Sequence, residues 1–186
     1  AFCTCIKQLS RLSCKVNHSI PVFMEHYFNI LRLHLLVLAG LLPALPPLYA
    51  ADITWQGNSN NNWTNPANWI GGAVPGAADR VFIPAVSGGQ MYPQISSAAA
   101  TVRYLEIQAN AQLTLVSGGN LTVNGTGCSG GTCYGIYIRN NATLTIQQGA
   151  TLSVQNTGSY GIYNNEGHFI NNGNTSVTTT VDRGIF

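Results

Sequence analysis

The chain has 186 residues and a formal net charge of +2, and charged residues make up only 8% of it. Four of its eight basic residues lie before residue 51. The rest of the chain carries four arginines, no lysine and five acidic residues, a net charge of −1. Such a composition lacks the basic footprint of a nucleic-acid-binding domain, so we expect no nucleic acid as a partner.

The first 23 residues precede the first methionine, Met24. They contain Cys3, Cys5 and Cys14, with one nearby histidine, His18, and no second spaced pair of ligands. A metal site normally shows a second spaced pair of ligands. We therefore favour upstream sequence that is absent from the mature protein over a metal-binding segment, and we predict no metal site.

Residues 24–50 have the order of a secretory signal peptide. Arg32 supplies a positive charge, residues 33–42 are apolar apart from His34, and prolines then precede Leu48-Tyr49-Ala50, so we expect cleavage after Ala50. The alternative is a membrane anchor, but the uninterrupted apolar run is shorter than the ~20 residues that cross a bilayer. We therefore predict no stable membrane span and a secreted or cell-surface protein.

All three tryptophans of the chain lie in residues 51–100, at Trp55, Trp63 and Trp69. The segment is rich in Asn, Gly and Pro, which are loop signals, and residues 80–83 are predicted to form a short strand. An aromatic cluster before a repeat array is most simply a cap on its first coil. The alternative is a platform on which sugars stack. We interpret residues 51–100 as an irregular Trp-rich cap.

Residues 105–123 repeat 31 residues later. Each copy contains three apolar-polar-apolar triplets, the shortest pattern of a strand with one apolar face. Glycine and asparagine between the triplets predict corners. Such a repeat predicts one coil of a parallel β-solenoid, which must stack on neighbouring coils to bury its apolar face. The triplets are Leu105–Ile107, Leu113–Leu115 and Leu121–Val123 in the first copy, and Ile136–Ile138, Leu144–Ile146 and Leu152–Val154 in the second.

The motif Gly135-Ile136-Tyr137 recurs at residues 161–163 and again at 184–186. Residues 169–170 and 177–181 are predicted to be the other two strands of the third copy. We therefore predict that residues 101–186 form an incomplete right-handed parallel β-helix, because parallel crossovers are generally right-handed. Since no cap follows Phe186, we expect the rest of a longer chain to be missing.

The first copy has an expanded corner, residues 124–134, which contains Cys128 and Cys133. These are the only cysteines after the predicted signal, and the glycines between them allow the loop to turn back. An exported protein meets an oxidising compartment, so we predict a disulfide between them. The alternative is a pair of free thiols in a flexible loop.

The segments TWQG, NNW, NPANW, GGAVPG and ADRVFIP, followed by YPQISS and the run YLEIQANAQLTLVSGGNLTVNGT, lie within residues 53–126. In this pattern the chain resembles the amino-terminal region of large secreted or surface-exposed bacterial β-helix proteins. Many of those resemble adhesins and end in a sorting domain for type IX secretion. The resemblance implies a β-helix architecture and a surface location, and it implies no catalytic residues.

Polysaccharide lyases and hydrolases are frequent among β-helices, so we looked for clustered carboxylates. No two acidic residues occupy the same position in successive copies, and Glu166 with His168 is the one acid–base pair. An isolated histidine is more often a surface residue than a catalyst. Tyr137, Tyr163 and Phe186 form a column across copies, which predicts an aromatic stack or, alternatively, a sugar-stacking surface.

The Asn-x-Ser/Thr sequons can reflect the fold alone, because Asn at corners tolerates a left-handed backbone; in a eukaryotic secretory pathway they would be glycosylation acceptors. They begin at Asn62, Asn120, Asn124, Asn141 and Asn174.

We predict a non-enzymatic structural or adhesive module of a secreted or cell-surface bacterial protein. We predict no catalytic residue and no cofactor, and expect a polysaccharide or a host or cell-surface ligand as the partner. The alternatives are the amino-terminal fragment of a β-helix polysaccharide lyase or hydrolase, and a carbohydrate-binding module that uses the two tyrosines or the tryptophans.

Overall fold

The computed structural model describes residues 50–96, 99–129, 132–179 and 183–186. The upstream segment 1–23 and all of the predicted signal peptide 24–50 except Ala50 lie outside the described residues. No helix in the described ranges is long and apolar enough to cross a membrane.

The described part of the chain is all-β, with one short 3₁₀ turn at Pro66–Asn68. Most strands have three to five residues, because glycine and asparagine corners interrupt the alternating pattern. The strands are β1 (Asp52–Thr54), β2 (Arg80–Ile83), β3 (Gln94–Ile95), β4 (Ala99–Val102), β5 (Tyr104–Ile107), β6 (Gln112–Leu115), β7 (Asn120–Asn124), β8 (Gly127–Ser129), β9 (Thr132–Ile138), β10 (Thr143–Ile146), β11 (Thr151–Thr157), β12 (Tyr160–Asn164), β13 (His168–Asn171), β14 (Asn174–Thr179) and β15 (Arg183–Ile185).

The strands form three parallel sheets. The first sheet has the order β1-β2-β5-β9-β12-β15, the second is β3-β6-β10-β13, and the third is β4-β7-β11-β14. The exception is β8, which pairs antiparallel with β9. From β3 onward, and setting β8 aside, consecutive strands visit the second, third and first sheets in turn. Each strand therefore pairs with its equivalent from the preceding and following turns of the chain.

The strand register pairs residues that lie 31 positions apart in the sequence. Leu113 pairs with Leu144, Leu121 with Leu152, and Glu106 with Tyr137. Strands β13 and β14 contain the predicted third-copy strands, apart from positions 180 and 181, which lie outside the described residues. The eight residues whose pattern points inward are all at most 1% exposed: Leu113, Leu115, Leu121, Val123, Leu144, Ile146, Leu152 and Val154.

Asparagine at the corners adopts the backbone expected of it. Asn110, Asn141 and Asn156 have φ of 63°, 58° and 55°, in the left-handed region that Asn tolerates better than most residues. Of these, Asn141 begins a sequon. Asn120 and Asn174 instead begin strands β7 and β14.

The tryptophan segment closes one end of the core. The side chains of Trp55, Trp63 and Trp69 are 1%, 2% and 0% exposed, and their rings meet edge to face at 4.7–4.8 Å. The indole N–H of Trp69 donates to the carbonyl of Trp63, and that of Trp55 to the carbonyl of Met91. The prediction that the tryptophans could stack on sugars is therefore wrong, because no ring face is open to solvent. Strands β2 to β4 already pair with later strands, so the stacked parallel sheets begin inside this segment.

Candidate functional site

The outer face of the first sheet carries the aromatic residues that the core does not use. In β2 the fully buried Val81 and Ile83 point into the core. Since side chains alternate along a strand, Arg80 and Phe82 point outward. In β5 the same alternation places Tyr104 and Glu106 on the outer face.

Strands β9 and β12 share the motif Tyr-Gly-Ile-Tyr, at residues 134–137 and 160–163. Both tyrosines of a motif lie on the outer face, with ring centroids 4.9 Å apart for Tyr134 and Tyr137. A Cβ at Gly135 would lie 2.7 Å from the carbonyl oxygen of Gly161 and equally close to two core side chains, so only glycine fits there. We had predicted the second tyrosine of each motif but missed Tyr134 and Tyr160, although the recurrence of a tyrosine before Gly-Ile was visible.

The outer rings form a continuous group, which we call the aromatic ladder. Tyr163 links the turns of the chain: its ring centroid is 5.5 Å from Tyr137 and 5.4 Å from Phe186, and the planes of Tyr163 and Phe186 differ by 7°. The ladder consists of Phe82, Tyr104, Tyr134, Tyr137, Tyr160, Tyr163 and Phe186.

Exposure increases along the ladder from Tyr104 to Phe186. Tyr104 is 1% exposed and Tyr137 is 9% exposed, whereas Tyr160 and Tyr163 are half-buried and Phe186 is 53% exposed. Of the two tyrosines that we predicted as a sugar-stacking surface, Tyr163 is thus the more open. We call Tyr160, Tyr163 and Phe186 the open end of the ladder.

Arginines pack over the rings at several points along the ladder. The guanidinium carbon of Arg139 lies 4.5 Å from the centroid of the Tyr137 ring, and that of Arg183 lies 4.9 Å from Phe186. Arg80 lies 5.3 Å and 5.4 Å from two rings at the other end, and an ion pair joins it to Asp52 at 3.4 Å. A cation over an aromatic face is attracted by the ring quadrupole.

Glu106 is a buried carboxylate between Tyr104 and Arg139. The Tyr104 hydroxyl donates to its Oε2 at 2.8 Å, and Arg139 Nε donates to its Oε1 at 2.6 Å. Burial, and next the hydrogen bond to Glu106, raise the pKa of the Tyr104 phenol far above its usual range. The hydrogen bond to Glu106 also raises the pKa of Arg139 above its ordinary value. The alignment of repeats had placed Arg139 over Gln108, so we missed this pair, which reaches diagonally to the neighbouring strand.

The predicted disulfide between Cys128 and Cys133 is present. The two cysteines face each other across the antiparallel pair β8–β9, so the expanded corner forms a short hairpin. Their Cα atoms are 4.0 Å apart, closer than the ~4.4–6.8 Å common for disulfides. A Cβ at Gly127 would lie 2.5–2.7 Å from three carbons of the Tyr104 ring, so β8 lies directly on that ring.

Glu166 and His168, the acid–base pair considered in the sequence, lie at the corner before β13 and at its start. Glu166 has φ of 59°, and its carboxylate accepts a hydrogen bond from the Asn140 side chain at 2.7 Å. His168 is an exposed residue at the start of β13. Over the described ranges, no group of three or more His, Cys, Asp or Glu side chains is placed to hold a metal ion.

Comparison with known proteins gives a family and no activity. No curated protein and no solved structure matches the chain. A family model described as "Domain of unknown function (DUF8693)" matches residues 54–182, which include the tryptophan cluster and most of the aromatic ladder. The match covers more than half of the chain, so this protein belongs to that family.

Proposed function

We propose that the three parallel sheets form a right-handed parallel β-helix with three strands per coil, from a secreted or cell-surface bacterial protein. The cyclic visit of consecutive strands to three sheets and the register of the repeat support the coil. The general preference of crossovers between parallel strands for a right-handed path supports the right-handed coil. The disulfide is typical of proteins that mature in an oxidising compartment, and the signal-peptide pattern of residues 24–50 agrees with that location.

On this scaffold we propose a non-enzymatic adhesive module that binds polysaccharide at the open end of the ladder. The observation that carries the proposal is a set of partly exposed rings held side by side on a rigid sheet. Sugar rings have apolar faces, and ordered aromatic side chains offer them a complementary surface at little entropic cost. The aromatic ladder also stabilises the fold, and its buried part has no other role in this proposal.

The acidic residues favour adhesion over catalysis. Each of the four described acids already has a partner: Asp52 pairs with Arg80, Glu106 with Arg139, and Glu166 with an asparagine side chain. Asp79 accepts hydrogen bonds from the backbone amides of residues 51 and 76. Glycoside hydrolysis needs two carboxyl groups that face a common substrate. The described acids instead form ion pairs and hydrogen bonds within the fold, so they do not support the lyase or hydrolase alternative.

Affinity gel electrophoresis against a panel of neutral and acidic polysaccharides tests the proposal. We expect at least one polymer to retard the full chain. Tyr163→Leu, which keeps an apolar side chain but removes the flat ring, should weaken that retardation by about two- to tenfold, because an aromatic stacking contact is worth ~0.5–1.5 kcal/mol.

The matched control is Ile170→Ala, which removes an exposed apolar side chain from β13 of the second sheet, where no ligand is proposed. It should leave retardation unchanged. The proposal fails if no polymer in the panel retards the chain, or if Tyr163→Leu and Ile170→Ala behave alike.

A further inference from the structure

Strand β8 is attached to the molecule differently from every other described strand. It is the one strand outside the path of the three sheets, and its only strand partner is β9. The pairing spans three residue pairs, Gly127 with Tyr134, Cys128 with Cys133 and Ser129 with Thr132. A hairpin of this size is marginal in water by itself, so the disulfide is its main constraint.

The two arms of this hairpin are not equally anchored. The β9 arm continues into the first sheet, and the carbonyl of Cys133 accepts a hydrogen bond from the amide of Ser159 at 3.2 Å. Tyr134 on the same arm packs against Tyr160 at 5.9 Å. Among the described residues, the β8 arm shows no hydrogen bond to a strand other than β9, and it touches the ladder through the backbone of Gly127 on the Tyr104 ring. If the disulfide opens, β8 is therefore the arm that is free to move.

What β8 covers is the most deeply buried ring of the aromatic ladder. The backbone of Gly127 lies on the face of Tyr104, which is 1% exposed. Glu106, which accepts a hydrogen bond from the Tyr104 hydroxyl, is also buried. Removal of β8 would expose an aromatic face that continues the ladder away from its open end.

We propose that β8 is a disulfide-latched cover over Tyr104, and that reduction of the Cys128–Cys133 bond by a dithiol lets β8 leave the ring. A thiolate of the dithiol attacks one cysteine sulfur and displaces the other, which takes up a proton. The second thiol, as its thiolate, then displaces the remaining cysteine, and the reductant leaves as a cyclic disulfide. Two electrons and two protons thus pass to the cysteines. The effect on ligand binding rests on the proposed function, whereas the latch itself does not.

Nitration of tyrosine by tetranitromethane, mapped by peptide mass spectrometry, tests the latch without any ligand. The open form is represented by the full chain with Cys128→Ser and Cys133→Ser, which cannot form the bridge. We expect nitration of Tyr104 to rise on the order of 30-fold in this variant, because bridging a loop of about six residues constrains the chain by roughly that factor. Tyr137, which Arg139 covers, is the internal control and should stay protected.

A second variant opens the cover with the disulfide intact. In Gly127→Ala the new methyl group would meet the Tyr104 ring at 2.5 Å, so β8 must move away and nitration of Tyr104 should again rise. The latch is overturned if Tyr104 stays protected in both variants. It is also overturned if circular dichroism shows that the double serine variant loses its strands, because the disulfide would then hold the coil rather than β8.

The consequence for binding has its own measurement. With the polysaccharide that retards the wild-type chain, the double serine variant should be retarded at least twofold more strongly. Equal retardation, with Tyr104 exposed, would overturn the extension of the binding surface and leave the latch standing. If no polysaccharide is bound while Tyr104 becomes reactive, the proposed function fails and the latch stands.

Discussion

Replacing Arg139 by leucine tests whether the Glu106 carboxylate is held in place by its partners. Glu106 is 5% exposed, and the variant would leave one of its oxygens without a donor. Removing one partner of a fully buried ion pair costs ~3–5 kcal/mol. The Arg139 side chain is 37% exposed, so water screens the pair and reduces that cost. The remaining hydrogen bond from Tyr104 reduces it further. We therefore expect a loss of about 2 kcal/mol in the free energy of unfolding.

Urea denaturation at neutral pH measures this loss, and two further variants separate its causes. Arg103→Leu removes an exposed arginine elsewhere and should change stability by no more than ~0.5 kcal/mol. Combining Arg139→Leu with Glu106→Leu removes both charges and should recover at least half of the loss. The reasoning is refuted if the two arginine variants cost the same, or if the double variant recovers none of the loss seen for Arg139→Leu.

Three further predictions concern the core, the close approach of strands and pH. Leu144→Ala should cost about 2–5 kcal/mol in urea denaturation, because Leu144 is fully buried, whereas Thr145→Ala on the outer face should cost under ~0.5 kcal/mol; equal costs would contradict the register. Gly135→Ala should cost about 1–3 kcal/mol, because its methyl group would overlap the backbone of the next turn of the chain, and Gly76→Ala, with its nearest contact at 3.6 Å, should be tolerated; similar melting temperatures would count against the overlap. The raised pKa of folded Tyr104 stabilises the fold below the unfolded value of ~10, and this contribution is lost as pH rises above it, so stability should fall above pH ~10 more steeply than in Tyr104→Phe; parallel pH profiles would argue against a buried phenol.

The repeat made the core predictable. Leu113 and Leu144 differ by the repeat length and pair in the structure, because every inward position must stack on an apolar equivalent. The same reasoning found the column of Tyr137 and Tyr163. Most strand-to-strand contacts join positions that are one repeat apart. A periodic sequence therefore predicts those contacts directly.

Contacts that break the repeat could not be read in this way. The repeat aligns Arg139 with Gln108, but the Arg139 side chain reaches diagonally to Glu106. The spacing of residues does not encode the direction that a long side chain takes. The pairing of Cys128 and Cys133 followed from their number, but the path of β8 across Tyr104 did not. The tryptophans were recognisable as a cluster, whereas their complete burial depends on loops that carry no periodic signal.

The most direct test of the account is nuclear magnetic resonance of the full chain titrated with an oligosaccharide of the polymer that retards it. We predict that the ring resonances of Tyr160 and Tyr163 shift with increasing ligand. Resonances of Thr145 and Ser153, on the outer faces of the second and third sheets, should stay in place. Shifts confined to the second or third sheet, with the tyrosine rings unaffected, would contradict a binding surface at the open end of the aromatic ladder.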